Sequence, residues 1–133
     1  MTLNPNFDQI GQNFVKFYYE KFDKKAERHL VAQFYVPQSL LTFEGQQVMG
    51  AEDIYRKLTE GFPMDDIARS LTKVDCQPTL DGGVLVFVLG QLKGQTEGDK
   101  VMGFSQVFIL KPLNDSFVIA HDIFRLSLHD FCV

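Results

Sequence analysis

Apolar positions recur with helical spacing through the first part of the chain and lose that spacing in the second half. After Asn4-Pro5 they fall at Phe7, Ile10, Phe14, Phe17, Tyr18 and Phe22. Steps of three and four residues put these side chains on one broad face of a helix. Asn4 followed by Pro5 predicts the N-cap and the first helical position. The charged stretch DKKAER leads to a second, short helix with Leu30, Val31 and Phe34, which Pro37 is expected to stop. Residues 40–49 predict a short strand pair around a Glu44-Gly45 turn. AEDIYRKLTEG predicts a third helix, with Ile54 and Leu58 on one face and Gly61 as its end.

From residue 71 the period changes. LTKVDCQPTL, GVLVFVLGQL, FSQVFIL and SFVIAHDIFRLSLH read as strands. The breaks between them are Asp81-Gly82-Gly83, a polar loop at 94–100, and Pro112 to Asp115. Connections this short make antiparallel hairpins. Helices first and strands afterwards predict an α+β domain: a curved antiparallel sheet with the N-terminal helices covering one face.

The strands do not alternate apolar with polar, as a sheet with one wet face does. Val84, Val86 and Val88 oppose Leu85, Phe87 and Leu89. Phe108 and Leu110 oppose Val107 and Ile109. Phe117, Ile119 and Ile123 oppose Val118, Ala120, Phe124 and Leu126. Both faces are apolar, and the helices cover one. The other is expected to be covered by a second copy in a two-fold homodimer, or else by a sheet that curls onto itself. On the dimer reading His121, Ile123 and Arg125 face the partner copy.

Composition narrows the function. The 133 residues suit one domain spanning 1–133. Hydrophobic residues make up 45% and charged residues 23%, so the chain has enough apolar surface to fold. A net charge of −4 argues against nucleic acid and against an anionic membrane surface, and favours a basic protein partner. Cys76 and Cys132 have no metal-ligand spacing and read as reduced thiols of a cytosolic or nuclear protein. The N-terminus lacks a signal-peptide pattern, and no apolar run reaches the length of a membrane span. There is no P-loop, dinucleotide fingerprint or nucleophile elbow, so no cofactor and no metal are expected.

A few polar residues sit where chemistry or recognition would need them. Glu44 follows an aromatic at a turn. It is either a solvated turn carboxylate or a charged anchor beside an apolar cavity walled by Phe43. Asp122 is either a hydrogen-bonded structural acid or, facing a cavity, a general base. His121 reads as buried and satisfied, and His29 as exposed. Glu97 and Asp99 lie in a charged loop that either is simply solvated or sets acids around the same cavity. Phe7 is either core or a half-exposed docking aromatic.

Five segments carry a resemblance: TFEGQQ at 42–47, VDCQPT at 74–79, VLGQLK at 88–93, MGFSQVFIL at 102–110 and DIFRLSLH at 122–129. In order and spacing they resemble the nuclear transport factor 2 family, over nearly the whole chain. The resemblance implies a cone-like fold and a homodimer packed through its sheets. It implies import into the nucleus of the small GTPase Ran in its GDP form, and a cytoplasmic and nuclear location concentrated at the pores of the nuclear envelope. It also implies binding to FxFG repeats of nucleoporins, with no enzymatic activity. Glu44 matches the rim carboxylate that pairs with basic residues of Ran. Phe43, Met102 and Phe124 match positions of the cavity that receives an aromatic side chain of Ran. Glu97 and Asp99 fall in the acidic loop, which is longer and more dilute here, and Asp65-Asp66 supply extra negative charge nearby. Phe7 stands at the FxFG site, and Ile123 at the dimer interface. Relatives with the same fold act as interaction modules in messenger RNA export or stress-granule assembly, which is the alternative implied. A cavity enzyme using Asp122 would need a second polar group inside the cone.

Overall fold

The computed structural model describes residues 2–96 and 98–127. Glu97, His129 and Cys132 lie outside the described residues, as does the end of the DIFRLSLH segment. Helix α1 (Phe7–Phe22) starts later than Asn4-Pro5 suggests. Asn4 does not cap it. Its side chain instead accepts the backbone N–H of Asn6 (2.9 Å), a local turn that leads into the helix. The first helical bond runs from Ile10 N–H to the Asn6 carbonyl.

The buried stripe of α1 is Gly11, Val15, Tyr18, Tyr19 and Phe22. Phe7, Ile10 and Phe14 flank it half-buried, while Phe17 lies outside against Phe34. Gly11 is required here, because a Cβ would stand 2.3 Å from the Cys76 sulfur. That closeness lets the aromatic stripe reach the sheet.

After a 3-10 turn (Lys25–Glu27) come α2 (His29–Ala32), β1 (Tyr35–Phe43), β2 (Gln46–Met49) and α3 (Ala51–Thr59). The second half supplies β3 (Ile67–Pro78), β4 (Val84–Gly94), β5 (Met102–Leu113) and β6 (Ser116–Leu126). The six strands form one sheet in the order β2-β1-β6-β5-β4-β3. Four neighbouring pairs are antiparallel, as the short hairpins predict. The fifth, β1 with β6, is parallel. The last strand returns beside the first in the same direction, so the sheet is mixed rather than wholly antiparallel.

Pro37 does not end a helix. It lies inside β1, at a register break between Tyr35 and Leu40 and beyond the reach of β2. A proline N there sacrifices no ladder bond. The Ser39 hydroxyl bridges the break by accepting the Val36 N–H (2.8 Å) and donating to the Ile119 carbonyl.

A second irregularity corrects the strand parity. Ile109 pairs with His121, but Leu110 pairs with Ile119, so Ala120 is an extra residue in β6. Such a bulge moves the side chains beyond it to the opposite face. Ile119 therefore joins Asp122 and Phe124 on the helix side, away from Ile123. The core is the helix side: Val84, Val86, Val88, Phe104, Phe108, Leu110 and Ile119 are buried under α1. The other face stays apolar and open, with Phe87 at 37%, Leu89 at 40% and Ile123 at 47% exposure.

Candidate functional site

The site stands at the end of the cone where β1 turns into β2. Phe43 is the cross-strand neighbour of Phe124 in the parallel β1–β6 pair, so their rings stack at 5.1 Å and 6°. Phe124 in turn stacks on Phe104 at 5.8 Å. The Lys57 ammonium lies 5.0 Å over the Phe43 ring and donates to the Gln46 side chain. Phe62, on the segment between α3 and β3, meets Phe43 edge-on at 5.3 Å and Phe22 at 5.0 Å.

Phe22, Phe43, Phe62 and Phe124, with Tyr18, Tyr19, Leu41 and Leu58, enclose a cavity of about 20 Å³, room for about one water. Its inner wall is polar. Asp122 accepts hydrogen bonds from the Tyr35 hydroxyl (2.7 Å) and the Gln106 amide (2.8 Å), and Gln106 accepts one from Tyr19 (2.6 Å). Burial raises the Asp122 carboxyl to about 6, and the bonds from Gln106 and Tyr35 partly oppose this. Both oxygens are engaged and the residue is 1% exposed, so Asp122 sits as a structural acid at the closed end of the cavity. Arg69 forms a fork with Asp23 (2.7–3.1 Å) and lies between the rings of Tyr19 (4.1 Å) and Phe104 (4.8 Å). Its Nη1 is buried without a partner among the described residues.

Glu44 takes the first central position of a tight hairpin turn, at φ 50°, with Gly45 at φ 83°. Two successive positive φ values suit the twist of adjoining strands. The Glu44 N–H donates to the Phe124 carbonyl (3.0 Å), and its carboxylate accepts the Leu126 N–H. Glu44 is half-buried and does not line the aromatic cavity; it stands beside it, on the residue next to Phe43.

The remaining sequence candidates separate. Met102 lies outside the aromatic cavity. It lines a neighbouring depression of about 240 Å³ with Met64, Asp65, Asp66, Asp99 and Lys100. Asp99 accepts the Thr96 N–H (2.9 Å), and Asp65 pairs with Lys25 (3.0 Å). Phe7 is half-buried at the first turn of α1 and lines neither cavity. His121, Ile123 and Arg125 are all exposed on the outer face of β6, so His121 is not buried within this chain. Ile123 sits in a row with Val107 and Thr42 on the adjacent strands.

Phe62 and Arg69 were not singled out by the sequence. Phe62 lies between Gly61 and Pro63, which gives it no periodic context. Arg69 is 46 positions from its partner Asp23. Among the described residues no group of three or more His, Cys, Asp or Glu is arranged to hold a metal ion. Among the described residues no helix is long and apolar enough to cross a membrane.

Residues 10–126 match the Nuclear transport factor 2 (NTF2) domain. The chain belongs to this family. It is 43% identical to a probable nuclear transport factor 2 of Caenorhabditis elegans, covering 98% of this chain and 99% of that protein. It is 39% identical to nuclear transport factor 2 of Saccharomyces cerevisiae, over 94% and 98% of the two chains. The solved structure of nuclear transport factor 2 from Cryptosporidium parvum superposes with a TM-score of 0.85 at 39% identity, covering 96% and 99%. The nuclear transport factor 2 fold of helices on an open, curved sheet is thus this chain's fold. These relatives are named as transport factors, not as enzymes.

Proposed function

We propose that this chain is a nuclear transport carrier: a homodimer that binds Ran in its GDP form at the open end of each cone and FxFG repeats of nucleoporins at Phe7. It shuttles between cytoplasm and nucleus and concentrates at the pores. One observation carries the reading above all. A carboxylate, Glu44, is fixed immediately beside the aromatic Phe43–Phe124 pair in a chain whose near-full-length relatives are named for nuclear transport.

Recognition then divides in two. The aromatic end receives an aromatic side chain of Ran. Glu44 pairs with a basic residue beside it, in a setting where packed rings exclude water and strengthen the attraction. Asp99, Glu97, Met102 and the Asp65-Asp66 pair widen the acidic and apolar contact, and the net charge of −4 steers a basic partner toward it. The outer sheet face supports the dimer, since Phe87, Val107 and Ile123 form a contiguous apolar row. His121 and Arg125 border Ile123 there. Phe7 offers repeats a ring worth about 1.5–3 kcal/mol when fully covered, a scale that suits reversible docking.

The test is recovery of Ran from solution by the immobilised chain, with Ran loaded with GDP or with GTP. Retention of the GDP form alone is the expected result. Equal recovery of both forms, or of neither, contradicts the proposal.

A further inference from the structure

The cavity that the proposed function assigns to a partner's aromatic side chain is too small for one as it stands. Its free volume is about 20 Å³, whereas a dry cavity that takes up a benzene ring is on the order of 150 Å³. Of the rings that line it, Tyr18, Tyr19, Phe22 and Phe124 are buried, and only Phe43 and Phe62 are half-buried. Those two, the more exposed of the lining rings, meet edge-on at 5.3 Å. A third ring enters only if one of them leaves.

Their supports differ. Phe43 is in the ladder of β1, stacked on Phe124 and covered by Lys57. Phe62 is on the connection from α3 to β3, between the ends of both elements. That connection is pinned on either side of it. Gly61 donates to the Arg56 carbonyl (3.0 Å), and the buried Arg28 guanidinium donates to the carbonyls of Met64 (3.1 Å) and Asp65. Phe62 itself is held by its ring: against Phe22, against Phe43, and under the Arg28 guanidinium at 4.9 Å. Rotation about the Phe62 Cα–Cβ bond therefore takes the ring out of these contacts without breaking the flanking backbone bonds or a strand pair.

We infer that Phe62 is a built-in competitor for the partner's aromatic side chain: it fills the slot in the free carrier and moves out when the partner's ring moves in. This rests on the reading of the cone end as the partner site. It gives Phe62 a role in selectivity. A partner must present a ring able to replace Phe62 against Phe22 and Phe43, and an aliphatic side chain does not repay the displaced aromatic contacts. The competition also weakens binding by the fraction of time the slot is open.

Two variants test this with Ran-GDP as the probe. Phe62→Ala vacates the slot, and its apparent affinity is expected to rise, by about tenfold if the slot is open about a tenth of the time. The chain has no tryptophan, so Phe62→Trp is a single reporter, read as a difference spectrum with wild-type chain as the blank. Its emission is expected to shift to the red as Ran-GDP drives the indole into water. If wild type binds Ran-GDP but Phe62→Ala binds equally or more weakly, Phe62 is a fixed wall and this inference fails alone. An unshifted or blue-shifted reporter on a binding Phe62→Trp chain has the same meaning. If wild type takes up no Ran-GDP, the functional proposal fails and this inference falls with it.

Discussion

The carboxylate of Glu44 accepts the backbone N–H of Leu126, across the end of β6. That bond couples the β1–β2 turn to the strand that carries Phe124. It holds the acid beside the aromatic rings rather than leaving it to sample solvent. The backbone at Glu44 is left-handed, a conformation that a non-glycine residue adopts at a cost of roughly 1–2 kcal/mol.

The two roles of Glu44 separate by substitution. Glu44→Gln keeps an oxygen for the Leu126 N–H and removes the charge. Thermal unfolding is expected to change little, while calorimetry with Ran-GDP shows a loss of about tenfold or more, the scale of a partly desolvated charge pair. Glu44→Lys puts like charge against a basic partner and is expected to abolish binding with the dimer intact. Unchanged affinity in either variant removes the anchor role.

Ile123 is 47% exposed within one chain, in a row with Val107 and Phe87. Under the proposed dimer, Ile123→Glu forces an unpaired charge into the sheet contact and favours monomers, because such a charge costs several kcal/mol to bury. Sedimentation equilibrium reads this directly. A variant that still sediments as a dimer locates the interface elsewhere.

Much of this was legible in the sequence where spacing is local. The helical period of α1, the Glu44-Gly45 turn and the doubly apolar strands need only neighbouring residues to be seen. Three features were not. The parallel pairing of β1 with β6 joins residues about eighty positions apart, and no hairpin signal announces it. The bulge at Ala120 has no proline or glycine to mark it, yet it moves Ile119 to the core. The separation of Met102 from the Phe43–Phe124 cavity depends on how the 61–66 segment folds over, with Phe62 in one cavity and Met64 in the other.

Phe7 begins α1 and is only half-buried, so its removal disturbs little of the core. Phe7→Ala is expected to lose retention on an immobilised FxFG repeat while Ran-GDP affinity stays within about twofold, the independence usual for separated sites. Unaltered retention takes Phe7 out of the repeat site.

Asp122 predicts a pH dependence. Burial raises its carboxyl from 3.8 to about 6, so the folded state holds a proton that the unfolded state has released. Its stabilising contribution is complete below about pH 4 and is lost as pH rises through about 6, an amount of about 2 to 3 kcal/mol. Asn in its place accepts from Gln106 and donates to the Tyr35 hydroxyl, which turns its own proton toward Tyr18, 2.8 Å away. Asp122→Asn is therefore expected to match wild type below pH 4 and exceed its stability at pH 7, by denaturant titration. A difference that does not vary between pH 4 and 7 contradicts the assignment.

The most direct measurement is isothermal titration of the wild-type chain with Ran-GDP and with Ran-GTP, repeated with Glu44→Lys. Saturable binding of the GDP form is expected, at one Ran per protomer, lost both with GTP and with the reversed charge. Binding that ignores the nucleotide, or that survives Glu44→Lys, would contradict it.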